Sequence, residues 1–193
     1  MSKDILSSLK GGDLRSIGTS NEAVRRVSKE PGVFGELFAG LLDPDRLVRM
    51  RAADAVEKLT REHPNWLQPW KRCLLDDIAT RKDKELRWHV AQLLPRLTLT
   101  ALEKAAAISV LQEYLCDDSS IVRAFSMQAL VDLAGDDTKM IEEIRPVIER
   151  LTRTGTAAMK ARGRKLLVKL DKRGGRSEIK TPRRHGRAKR DSS

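Results

Sequence analysis

The chain has 193 residues, of which 34% are charged, 40% hydrophobic and only 4% aromatic. That length can enclose one domain with a sizeable core, and the abundance of Leu, Ala, Lys, Arg and Glu favours helix over strand. The net charge of +11 sits at one end: residues 1–158 balance, whereas residues 159–193 hold 14 basic residues against 3 acidic, the pattern of an interaction arm or a solvated extension. The start, MSKDILSSLK, has no signal-peptide core, and the longest apolar run, Ala105–Ile108, is far too short to span a membrane. Cys73 and Cys116 have no CxxC spacing and lie in apolar helical patterns, so buried reduced thiols and a cytoplasmic location are expected.

In chain order, Ile5 to Leu9 suits a short helical piece. Thr19 and Glu22 have the spacing of a capping box for a helix toward Glu30, which Pro31 ends. Four pairs of helical segments follow. The first members are Phe34–Leu42, Leu67–Ile78, Ala101–Leu115 and Met140–Leu151, with Pro69 and Pro146 expected to kink two of them or mark a late start. The second members align without gaps: VRMRAADAVEKL from Val48, LRWHVAQLLPRL from Leu86, VRAFSMQALVDL from Val122 and MKARGRKLLVKL from Met159. Their starts are 38, 36 and 37 residues apart. Each keeps one apolar helix face: Val48, Ala52, Ala55, Val56 and Leu59 recur as Leu86, Val90, Leu93, Leu94 and Leu97, then with Ser126 and Gly163 as lone exceptions. Pro95 should disturb the end of the second copy. Asp43 before Pro44, and then Asp83, Asp118 and Thr156, are the expected helix starts. Gly174-Gly175 is the expected stop of the last helix.

Two helices per period of about 37 residues, with Asp43 and Val48-Arg49, Asp83 and Leu86-Arg87, and Asp118 and Val122-Arg123, resemble the HEAT repeat family across residues 30–170. The fourth copy departs from that pattern, with Lys160 for arginine and no acidic cap. The resemblance implies an all-α, right-handed α-α superhelix of about four helix pairs plus an N-terminal half-repeat. Residues 1–30 would be capping helices, 31–171 the repeat domain and 172–193 a basic tail, expected to be disordered when free. It also implies that the second helices line a concave partner-binding side, and that Arg49, Arg87 and Arg123 are structural links between repeats.

The function expected from this architecture is a non-enzymatic scaffold for a macromolecular partner, protein first, with no cofactor. Concave-face candidates are Arg51, Asp54, Trp88, Gln92 and Gln128. The alternative is a nucleic-acid-associated protein using the basic end, where Lys160, Arg162, Arg164, Lys165, Lys169, Arg173, Arg176, Arg183, Arg184, Arg187, Lys189 and Arg190 would meet a polyanion or an acidic protein. A lesser alternative rests on HEAT-like alkylpurine DNA glycosylases, which hold a damaged base in an aromatic cleft; Trp66, Trp70 and Trp88, with Asp54, Asp76 or Asp77, would have to form it. Packing of Trp66 and Trp70 on one core face is the simpler reading. No HExxH, CxxC, phosphate loop or GxSxG elbow proposes a metal site or catalysis.

Overall fold

The computed structural model describes residues 4–11 and 19–178, with side chains as far as Arg173. No strand occurs among them. The α-helices are α1 (Ser20–Lys29), α2 (Phe34–Ala39), α3 (Arg46–Glu62), α4 (Lys71–Cys73), α5 (Lys84–Leu93), α6 (Ala101–Tyr114), α7 (Ser120–Ala134), α8 (Thr138–Thr154) and α9 (Ala157–Glu178). Helices α1, α3, α5, α7 and α9 pack side by side in that order, an inner layer, while α2, the segment around α4, α6 and α8 form the outer one. Each apolar stripe faces inward between the layers: all five members of the first two stripes are buried. This is the stacking that the 37-residue period demands, since one helix pair alone cannot cover its own apolar face.

The two exceptions to the stripes are built for their places. Ser126 is buried, and its hydroxyl donates to the Val122 carbonyl (2.9 Å), which removes the cost of an unpaired hydroxyl. Gly163 sits against α8 with no room for a side chain; a Cβ there would overlap the side chain of Thr152 and crowd Met127. The interior divides in two. One cluster runs from Ile5 to Leu130, and a second, around Met127, Ile141, Ile148, Met159, Leu166 and Leu170, lies under α8 and α9.

Several local expectations are corrected. Thr19 makes no capping bond and instead donates to the Ser8 carbonyl (2.5 Å), tying α1 to Ser7–Leu9; the capping box belongs to Thr100 and Glu103 at α6. Helix α3 starts at Arg46, with Asp45 rather than Asp43 accepting from the Leu47 amide (2.8 Å), and α7 is capped by Ser119 rather than Asp118. Pro69 sits in a 3-10 turn, Pro64–Trp70, so the α-helical start is late, and Leu74–Ile78 is a π-turn. Pro95 does end α5, in the 3-10 turn Leu94–Arg96. Pro146 lies within α8. Gly174-Gly175 does not stop α9, which continues to Glu178 across the boundary expected at residue 172. Glycine weakens a helix by about 1 kcal/mol relative to alanine; it ends one where the backbone turns left-handed, as at Gly135 (φ 55°) after α7. Cys116 is exposed, not buried, because it follows the end of α6, and Cys73 is half-buried with its thiol pKa pushed up by burial and then by Asp77. No described helix is long and apolar enough to cross a membrane.

Candidate binding site

The N-terminal ends of α3, α5 and α7 lie along one edge, and there the repeated arginine acts as a link. Arg49 donates to Asp83 (2.8 Å) and to the carbonyls of Asp43 and Pro44 (both 2.8 Å). Arg87 donates to Asp117 (3.0 Å), Glu113 (2.8 Å) and the Arg81 carbonyl (2.7 Å), and lies over the Tyr114 ring. Each arginine thus binds a carboxylate just before the next inner-layer helix. The third rung is missing: Thr156 stands where Asp83 stands and Thr154 where Asp117 stands, and Arg123 makes no side-chain hydrogen bond or ion pair among the described residues, its buried Nε included.

Of the residues expected on the inner face, two are structural. Arg51 is buried and donates to the carbonyls of Leu9 (2.8 Å) and Gly11 (2.6 Å), holding the N-terminal segment against α3. Asp54 accepts from Ser20 and Lys58, which fixes α1 beside α3. The other three come together. Gln92 on α5 and Gln128 on α7 flank a cavity of about 350 Å³, with Ala91, Pro95, Phe125 and Asp132 among its walls. Trp88 packs on one of those walls, its ring 5.4 Å from that of Phe125. Gln128 donates to both oxygens of Asp132 (3.1 and 3.0 Å), and Lys169 reaches the same carboxylate from α9 (2.6 Å).

A second polar cluster closes the inner face between α3 and the end of α5. Glu57, buried to 2% exposure, is held by Arg61 (2.8 and 2.5 Å) and by Arg96 (2.5 Å), which also donates to the Glu57 carbonyl (2.6 Å) and Thr60 (2.8 Å). Burial opposes ionisation of Glu57, but the bonds from Arg61 and Arg96 outweigh it and its pKa falls. His89 is buried behind Trp88, and burial lowers its pKa to about 4. Sequence reading missed Phe125, Asp132 and Arg96. Phe125 and Arg162 occupy the same place in consecutive repeats, so the alignment held that signal, whereas the reach of Arg96 to Glu57 across 39 residues left none.

The basic residues of α9 divide by geometry. Lys169 is tied to Asp132, and Arg173 donates to the Val131 carbonyl (2.7 Å). Arg162 rests on the Phe125 ring, its guanidinium carbon 4.2 Å from the centre. Lys160 is half-buried, while Arg164 and Lys165 are exposed, and these three make no ion pair among the described residues. Arg176 lies in α9 beyond the described side chains; Arg183, Arg184, Arg187, Lys189 and Arg190 lie outside the described residues.

The aromatic cleft needed for base excision is not assembled. Trp66 packs on Phe34 and His63 (5.2 and 4.4 Å), and Trp70 stacks on Phe38 (4.9 Å), in the outer layer away from the Trp88–Phe125 pair. No cluster of three metal-ligating side chains occurs among the described residues.

A search of curated proteins finds no significant match. Among solved structures, an engineered protein from the Northeast Structural Genomics Consortium is similar, 18% identical, with 88% of this chain and 79% of that one covered and a TM-score of 0.57. At that identity the likeness concerns the fold alone. The HEAT repeat domain matches residues 14–170, and with α1 to α9 stacked in two layers, the chain belongs to the HEAT repeat family.

Proposed function

We propose that this chain is a non-catalytic, cytoplasmic scaffold that binds a protein partner along the inner layer formed by α3, α5, α7 and α9. The observation that carries the reading is the groove between α5 and α7, where partly exposed Phe125, with partly exposed Trp88 against it, lines a 350 Å³ cavity bordered by Gln92 and Gln128. Aromatic anchors beside amide groups are what protein interfaces use for contact area and orientation. The test is photo-crosslinking in the native source, with the crosslinker placed at Gln92 or, as a control, at exposed Glu142 on α8. Adducts from Gln92 that survive nuclease, with none from Glu142, are expected; adducts at Glu142 alone would move the interface to the outer layer.

The second reading, polyanion binding at the C-terminal end, draws on Lys160, Arg164 and Lys165, which no described carboxylate neutralises. Such binding has few aromatic rings to stack bases and would be electrostatic, so its affinity would drop steeply with salt.

A further inference from the structure

The inner face contains a cation that none of its described neighbours pairs directly. Around the α7–α9 seam, Lys169 has Asp132, Arg173 has the Val131 carbonyl and Arg96 has Glu57. Arg162 has the face of Phe125 and makes no hydrogen bond or ion pair among the described residues. It is half-buried, and burial lowers its pKa more than the nearby Asp132 charge, already bonded to Lys169 and Gln128, raises it. A ring face compensates a guanidinium in part but satisfies none of its five N–H donors. A carboxylate satisfies two at once, in the planar fork geometry that distinguishes arginine from lysine.

Phe125 joins this cation to the cavity between α5 and α7, since the ring that Arg162 covers is also a wall of that cavity. With Ala91, Pro95 and Ala129 also lining it, the cavity suits an apolar side chain. One feature disfavours a nucleic-acid strand here: the Phe125 face is already occupied by the guanidinium, so a base cannot stack on it. We propose that this inner groove binds an extended acidic peptide segment, with one apolar side chain in the α5–α7 cavity and one carboxylate on Arg162. Exposed Lys165, one turn along α9, would meet a second carboxylate. Neighbouring helices are spaced roughly 8–10 Å apart, about three residues of extended chain, so the carboxylate should follow the apolar residue by about three positions. The inference rests on the protein-scaffold reading and names the chemistry of its partner.

The probe is a capped octapeptide carrying one leucine and, three residues later, a Glu-Glu pair. Its control carries Lys-Lys, and a twelve-nucleotide oligo-dT tests the competing class. Binding is read from the NMR signal of the Trp88 indole, with Trp66 and Trp70, packed away from the groove, as internal references. A saturable shift of Trp88 with the acidic peptide is expected, weakened about tenfold or more by Arg162→Gln, partly by Arg162→Lys, and less than about twofold by Arg164→Gln. The wild-type comparison of the two peptides stands even if a variant loses α9 docking. No saturable shift, equal binding of the Lys-Lys peptide, indifference to Arg162→Gln in a folded variant, or tighter binding of oligo-dT would each overturn the proposal. Should the acidic peptide fail while native crosslinks still map to Gln92, the scaffold reading survives without this partner chemistry; loss of both removes the two together.

Discussion

Replacing Arg87 with alanine should destabilise the fold far more than the same change at Arg123, although the two stand at the same place in consecutive repeats. The Arg87 side chain is 8% exposed and its charge-assisted bonds differ in worth. Glu113 is 64% exposed, so its pair is screened and contributes little. Asp117 is 12% exposed, and the Arg81 carbonyl accepts at 2.7 Å; losing the donor leaves both short of a partner at the repeat junction. Together these bonds amount to about 3 kcal/mol, which for a chain of this size lowers Tm by roughly 6–12 °C. Arg123 has no side-chain acceptor among the described residues, so its alanine variant should cost under about 1 kcal/mol, mostly from packing of the stem. Thermal and urea unfolding followed by circular dichroism would measure both. Equal losses, or a loss at Arg87 below about 1 kcal/mol, would refute the assignment of the ladder as the inter-repeat link.

His89 should make the protein acid-sensitive. Its folded pKa of about 4 lies below the ordinary 6.5 because of burial, so stability is intact above pH 6.5 and falls as pH drops toward 4, by about 3 kcal/mol in full; a His89→Gln variant should flatten that slope in urea titrations run from pH 7 to 4. Gly163→Ala should cost roughly 1–3 kcal/mol through overpacking against Thr152, with hydrogen exchange rising in α8 and α9 ahead of α3 and α5. Glu57→Gln should destabilise by about 3 kcal/mol, since it leaves Arg61 and Arg96 without their shared carboxylate, and Glu57→Ala combined with Arg96→Ala should cost less than the sum of the two singles.

The fold was legible because its signal is repetitive. Four copies of one apolar stripe fix which helix faces are buried, and Val48, Leu86, Val122 and Met159 are all buried where the alignment puts them. The helix starts were less legible, because Asp43, Asp45, Asp117 and Ser119 offer competing caps within three residues and only the backbone path decides between them. The inner face was half legible. Trp88, Gln92 and Gln128 gather at the groove, but Asp54, in register with Gln92 and Gln128, and Arg51, in register with Phe125, are consumed by the N-terminal segment, which is packed against α3 and has no counterpart further along. A repeat pattern assigns positions; the neighbours at each end of the stack decide what those positions do.

The fourth unit shows this most clearly. Its departures from the repeat, Thr156 for a carboxylate, Lys160 for arginine and Gly163 within the stripe, together make a different joint. Gly163 lets α9 sit close on α8, and the pair has its own apolar cluster with Met127 and Val131 of α7. The polar links across α7 and α9 then shift from the helix starts to the inner face and the far end, where Lys169 takes Asp132 and Arg173 takes the Val131 carbonyl. What the change of joint leaves behind is charge: Arg123 loses its carboxylate, and Arg162 comes to rest on Phe125 instead of an acid. Because the Arg162 cation borders the groove through Phe125, an acidic partner that neutralised it would also clamp α9 to α7. Binding should therefore protect the amides of α8 and α9 from exchange more than those of α3, coupling partner capture to the firmness of the last repeat.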